Sequence, residues 1–325
     1  MKKSSMKFRL VFATLLAGWC LLFFRCETTE KSMVRAVYLA QTETGVASAL
    51  WYQAPEASAD ASEASAALQM VCAEGETLEK SLYAVQKHLP QTADYRLCDF
   101  LLVPQDVSDD LLSDYETLVL ERGCGRTASR VVCVDLDPDE LAQLSEQDDG
   151  MSDKLIEKLK SISARLPRLY QHSELALFSQ LEFAEDGIEL SETGFFRTPE
   201  KHVELNSNET ELCLLLEKKP GNRTFWLNGE RVTIRRCSVS VTLSGEQAVI
   251  RLDCQLPAGE PAPSDAQKEQ METLCNQTVE SLWAQGIDLL SLQQRRALQD
   301  GGKQEFSPAK NACPQIRTDV QFLMF

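Results

Sequence analysis

Histidine is the scarcest ionisable residue here: of 325 residues, only His88, His172 and His202 carry imidazole. The eleven cysteines form no C-x-x-C pair and no cluster with histidine, so neither a zinc site nor a thioredoxin-like motif is indicated. No G-x-S-x-G, Walker loop, G-x-G-x-x-G or H-E-x-x-H occurs, which removes the common local signatures of hydrolase, nucleotide and metalloprotease chemistry. His88 falls at a helix end, and His172 and His202 in expected surface segments. No catalytic residue, metal or cofactor is assigned, and the chain is not expected to be an enzyme. Basic charge is also in deficit. Thirty-three Lys and Arg face 49 Asp and Glu, a net charge of -16, which argues against a nucleic-acid binder, since that affinity rests on cations meeting phosphates. What is present is ordinary globular material, 43% hydrophobic with 7% aromatic residues, and the length allows about two domains.

One long apolar run stands apart. Lys2, Lys3, Lys7 and Arg9 precede an uncharged, mostly apolar stretch from Leu10 to Phe24, closed by Arg25. A basic segment before such a run is the pattern of a signal peptide or short signal anchor, covering residues 1–25. As a helix it spans roughly 22 Å, short of the ~30 Å hydrocarbon core. The basic flank is held on the cytoplasmic side, which sends the rest across the membrane. Beyond Arg25 there remain 28 basic and 49 acidic residues. A lipoprotein signal needs a small residue before the cysteine that takes the lipid. Cys20 follows Trp19 and Cys26 follows Arg25, so an uncleaved or slowly processed anchor is expected, with lipidation at Cys20 or Cys26 the alternative.

The body reads as α+β, with mixed sheets packed with helices in more than one domain. Strands are expected over Met33–Gln41 and Val46–Gln53, joined as a hairpin at Gly45, and the Ala/Ser/Glu-rich 55–67 stretch as a loop. Leu78, Leu82, Val85 and Leu89 share one helical face before Pro90. A buried strand follows at Leu97–Val103, a helix capped by Ser108, and a strand at Arg130–Leu136. Asp137-Pro138-Asp139-Glu140 opens another helix, and Leu155, Leu159, Ile162 and Leu166 stripe the next. This alternation predicts an N-terminal α/β domain over 26–170. After about Gln171 strands dominate: Ile188–Phe196, Glu211–Lys218, Val232–Leu243 and Gln247–Leu256. One long amphipathic helix is expected over 264–298 and a closing strand from Asp319, which together make a C-terminal α+β domain over 171–325.

The cysteines beyond Cys20 are widely spaced, and Cys98, Cys133, Cys213 and Cys254 sit within apolar strands, so buried thiols are expected in preference to disulfides. The acidic stretches Asp135–Glu140 and Gln147–Gly150 lack the D-x-D-x-D-G spacing with a distal Glu. Strand end, helix cap and solvated loop account for them.

Three patches resemble one known family. Gly75-Glu-Thr-Leu-Glu-Lys-Ser-Leu, followed by Cys98-Asp-Phe-Leu-Leu-Val, is similar to its Gly-x-Thr helix start and next strand. Leu205 through Glu209-Thr210-Glu211 to Leu214-Leu215-Leu216 resembles its Glu-Thr segment, and Trp283-Ala-Gln285-Gly-Ile-Asp288-Leu-Leu its Gln-x-x-x-Asp stretch. Asp319-Val-Gln-Phe-Leu matches its closing strand. The family is the C subunit of bacterial spore germinant receptors, the Ger(x)C or GerAC-like lipoproteins, of which this chain looks like a divergent member. The resemblance implies a non-catalytic, membrane-tethered subunit on the extracytoplasmic face of the spore inner membrane, acting in germination beside the receptor's membrane A and B subunits. For Gln285 and Asp288 it implies a structural role at most. The alternative is an exported ligand-binding or sensory domain unrelated to germination. A carboxylate-based exported hydrolase is a third and weakest reading.

Overall fold

Strands β1 (Lys31–Thr42), β2 (Gly45–Gln53) and β3 (Leu68–Gly75) open a mixed sheet. The coordinates are a computed structural model that describes residues 31–53, 68–122, 125–148, 150–171, 176–184, 187–198, 202–302 and 306–323. The N-terminal apolar segment, Cys20, Cys26 and the whole of the 55–67 stretch lie outside the described residues.

After β3 come α1 (Leu78–Gln86), β4 (Thr92–Asp94), β5 (Phe100–Val103), α2 (Asp109–Arg122), β6 (Arg130–Val134), α3 (Pro138–Gln147) and α4 (Met151–Ile162). Then β7 (Leu177–Ala184), β8 (Gly187–Arg197) and β9 (His202–Leu205) complete the sheet. Its order is β3-β2-β1-β5-β6-β7-β8-β9, with β4 beside β1. The centre from β1 to β7 is parallel and both flanks are antiparallel. A parallel centre needs cover on both faces, and the sequence alternates to supply it. Val37, Leu39, Leu101, Val103 and Val131 face α1 and α2, while Ala36, Tyr38, Leu102, Val132 and Val134 face α3 and α4. Adjacent strand residues point to opposite faces, so a one-residue slip would exchange the two cores.

The expected helix starts form as ordinary caps. Thr77 Oγ1 accepts from Lys80 N and Ser108 Oγ from Leu111 N. Asp137 and Glu140 make a reciprocal capping box with Pro138 in the first turn, which satisfies amides that a helix start otherwise leaves unpaired.

The C-terminal part comprises α5 (Ser207–Leu216), β10 (Arg223–Leu227), β11 (Glu230–Ile234), β12 (Arg236–Ser244), β13 (Gln247–Gln255), α6 (Asp265–Ala284), α7 (Leu292–Asp300) and β14 (Gln315–Leu323). β10 and β11 form a hairpin; β12, β13 and β14 form a separate sheet in which β13 and β14 run parallel. Met271, Cys275, Val279 and Trp283 on α6 pack with Ile250, Leu252 and Val320 of this sheet. A smaller cluster joins the two parts: Leu177, Phe196, Val203 and Leu205 of the first sheet meet Cys213 and Leu214 of α5 and Leu282 of α6. The architecture is α+β, with separate sheets and helices packed on them.

The structure departs from the sequence expectations in three places. Glu211–Lys218 is not a strand: residues 207–216 are helix α5, opened by an Asn206–Glu209 capping box. Leu212–Leu216 are all buried, and an apolar run buried on every side carries no helical period. The single helix expected over 264–298 is two. Gly286, at φ +90°, ends α6 by giving its N–H to Trp283 O while Ile287 N–H reaches Leu282 O, the paired bonds of a left-handed helix terminus. The strand expected over Val232–Leu243 breaks at Arg235 into β11 and β12. Strands β7 to β9 belong to the first sheet.

Candidate functional site

The segment that resembles the Glu-Thr motif does three different jobs within three residues. Glu209 is tied to the helix start: its carboxylate accepts from Asn206 N at 2.9 Å, and Asn206 Oδ1 accepts from Glu209 N at 3.0 Å. Thr210 is buried, and its hydroxyl accepts the N–H of Gly194 on β8 at 2.9 Å. A Cβ at Gly194 would stand 3.0 Å from Phe178 O and 3.1 Å from Thr210 Cγ2, so the missing side chain lets α5 sit against the strand. Glu211 pairs with two guanidinium groups. Arg165, which follows α4, bonds Oε1, and Arg223 of β10 lies 3.6 Å from Oε2. Arg223 is only 3% exposed and donates to Lys219 O at 2.8 Å and Pro220 O at 3.0 Å. Pairing with Glu211 and these carbonyls offsets the cost of burying its charge. One short segment thus links α4, β8 and β10.

Gln285 and Asp288 are separated by the turn at Gly286 and do not share a helical face. Gln285 is the C-cap of α6, with Nε2 3.4 Å from Ser281 Oγ. Asp288 opens α7: its two carboxylate oxygens accept Leu292 N and Gln293 N, each at 2.7 Å. A carboxylate at a helix N-terminus satisfies free amides and complements the dipole. Both residues thus bond within the turn that separates α6 from α7.

These elements border a polar cleft of about 460 Å³ between the two parts of the molecule. Pro167, Leu177, Glu217–Lys219, Asp288–Ser291 and Arg295 line it. Lys218 (φ +57°) and Ser291 (φ +53°) both line it and both occupy the left-handed region that costs a non-glycine residue about 1–2 kcal/mol. Lys218 earns that conformation by terminating α5: its N–H reaches Leu215 O and that of Lys219 reaches Leu214 O. Burial pushes the Glu217 carboxyl above its ordinary range, against the partial relief of Lys219 Nζ at 3.8 Å.

The folded value of Glu217 lies above the unfolded one, so folding retains a proton that the unfolded chain releases first. Its contribution to stability is full below the ordinary carboxylate range and declines as pH rises through the folded value. Glu217→Gln is therefore expected to gain stability relative to the wild type as pH rises from about 4 to about 7. Urea midpoints of both proteins across that range check this; a constant difference would show that Glu217 ionises freely in the fold.

A second depression, about 600 Å³, lies at the carboxyl ends of β1, β5 and β6, where open parallel sheets form crevices. Tyr38, Asp106, Asp137, Glu140 and His202 line it. Tyr38 O–H donates to Leu136 O at 3.0 Å, and burial, followed by the nearby carboxylates, raises its pKa. Asp137 and Glu140 are engaged in capping α3. Among the described residues no group of three or more His, Cys, Asp and Glu is disposed to hold a metal ion, and no helix is long and apolar enough to cross a membrane.

Arg165, Glu217 and Arg223 were not singled out from the sequence. The partners that give Glu211 its role lie 46 residues before it and 12 after it, and no local pattern announces such a pairing.

No protein-family model matches the chain, and no curated protein matches it. Among solved structures it is similar to the crystal structure of the GerBC protein, with a TM-score of 0.46 and 12% sequence identity, covering 91% of this chain and 99% of that one.

Proposed function

We propose that this chain is a membrane-tethered, extracytoplasmic C subunit of a nutrient germinant receptor, acting in spore germination as a non-catalytic assembly component. The observation that carries the reading is the set of short segments resembling that family, at Gly75, Glu209–Thr210 and Gln285–Asp288. Each has a structural job in this fold: a close approach of strand and helix, a three-way joint, and the turn between two helices. Contacts of this architectural kind fit a subunit whose task is to present surfaces to partners. The basic segment and apolar run at residues 2–24 would hold the acidic body at the membrane, either as an uncleaved anchor or through a lipid on Cys20 or Cys26. Its partners would be the receptor's membrane A and B subunits.

The full-length protein, expressed in spores, should sediment with the inner membrane and co-purify with the A- and B-type subunits after mild detergent extraction. Recovery alone, or in the soluble fraction, would overturn the reading. A second reading, an exported ligand-binding or sensory domain, is favoured by the polar cleft around Glu217 and Asp288. It would gain if the protein bound a small polar solute there without either membrane subunit.

A further inference from the structure

Cys237 on β12 and Cys254 on β13 stand directly opposite each other across an antiparallel pair, with their sulfurs 3.3 Å apart. Facing residues in such a pair have Cα atoms about 4.5–5.5 Å apart, within the roughly 4.4–6.8 Å that a disulfide spans. The two thiols can therefore bond with no rearrangement of the sheet.

They differ in access. Cys254 is fully buried, whereas Cys237 is partly exposed. Cys237 opens on a surface cavity of about 480 Å³ whose charged lining is entirely basic: Lys218, Lys219, Arg223, Arg235 and Arg236. Arg223 and Lys219 face Glu211 and Glu217, and Lys218, Arg235 and Arg236 give the cavity its positive charge in a chain of net charge -16. A partly exposed cysteine bordering a basic cavity, with a buried second thiol beside it, is the arrangement of an attacking and a resolving cysteine. The hydrogen bond with Cys237 and burial both raise the Cys254 thiol above its ordinary range.

We propose that Cys237 and Cys254 form a thiol–disulfide exchange site that accepts anionic low-molecular-weight disulfides of the glutathione class at the basic cavity. The Cys237 thiolate attacks one sulfur of the incoming disulfide, breaking its S–S bond and releasing one thiolate, which takes up a proton. Cys254 then gives up its proton and attacks Cys237 Sγ in the mixed disulfide. The second small thiol leaves, and a Cys237–Cys254 bond remains. Two electrons pass from the protein dithiol to the disulfide, which becomes two thiols. The product cross-links β12, the edge strand whose carbonyls receive Arg295 at Val241 O and Gln299 at Leu243 O from α7, to the centre of its sheet.

The test uses the reduced full-length chain, treated with oxidised glutathione, quenched with an alkylating agent and digested with trypsin without reductant. Trypsin cuts after Arg251, between the two cysteines, so the bond appears as two joined peptides, lighter than their sum by two hydrogens. That species should dominate. Cys254→Ser should instead trap a glutathione adduct on Cys237, and Cys237→Ser should leave Cys254 reduced. Arg235→Gln with Arg236→Gln should slow the reaction about tenfold at low ionic strength for this anionic disulfide, and leave the rate with neutral hydroxyethyl disulfide unchanged. Separate alkylation of both cysteines after oxidation would overturn the proposal. So would a Cys254 link to Cys275, the buried thiol on α6 whose field also reaches Cys254, or equal slowing with both disulfides.

Discussion

Glu211→Ala is expected to lower the free energy of unfolding by about 3–5 kcal/mol, since removing one partner of a buried ion pair leaves an uncompensated charge in the interior. Two guanidinium groups converge on this carboxylate. Arg165 has a side chain 23% exposed and can turn toward water, whereas that of Arg223 is 3% exposed and is fixed by carbonyls of the Lys219–Pro220 turn. The loss therefore falls mainly on Arg223. Glu211→Gln keeps the shape and one acceptor but no charge, and should cost less than alanine. Combining Glu211→Ala with Arg223→Met removes the stranded cation and should recover part of the loss, a coupling that a double-mutant cycle measures directly. Urea midpoints at neutral pH read the wild type, both glutamate variants, Arg223→Met and the double variant. A loss below about 1 kcal/mol for Glu211→Ala, or simple additivity in the double variant, would show that the carboxylate is not what secures the joint.

That joint also marks where the sequence stopped being readable. The α/β alternation through Leu166 was legible because its helices are amphipathic and its strands short and flanked by Pro, Gly or acidic caps; β1, α1, α2, β6 and α3 fall where the periods place them. Helix α5 was not, because a helix enclosed on all sides is apolar on all sides and looks like a buried strand. Its true signals were the Asn206–Glu209 box at one end and, at the other, an unusual Lys218 in the left-handed position that glycine usually takes. The break between α6 and α7 was written in Gly286, but the apolar residues at 287 and 290 continue the helical stripe and mask it. Of the candidate site, Glu209, Thr210, Gln285 and Asp288 could be named from resemblance alone. What each does depends on Gly194, Arg165, Arg223 and the amides of residues 292 and 293. Those contacts exist only once distant segments meet.

Gly75→Ala should be among the most damaging single-methyl changes in the N-terminal part, about 3 kcal/mol or more. Gly75 ends β3 immediately before the first turn of α1. A Cβ built there would stand 2.3 Å from Ser81 N and 2.6 Å from Lys80 C, both backbone atoms that no rotamer change can move aside. Overpacking a tight site ordinarily costs about 1–3 kcal/mol; here relief requires sliding α1 along the sheet, which adds to that. The slide would disturb buried bonds that place the helix, from Ser81 Oγ to Ser48 Oγ at 2.6 Å and to Ala73 O at 3.2 Å. It would also lift Leu78, Leu82 and Val85 from the core they share with Val37 and Leu101. The glycine of the Gly-x-Thr start is thus needed for the space it leaves, while Thr77 supplies the cap. Thr77→Ala serves as the comparison, since losing a cap costs about 1 kcal/mol without moving the backbone. Amide exchange along α1 separates the two effects: Gly75→Ala should expose the whole helix, and Thr77→Ala only its first turn. Equal denaturation midpoints for the two variants would mean that β3 and α1 can part without loss, and that the close approach at Gly75 does not hold them in place.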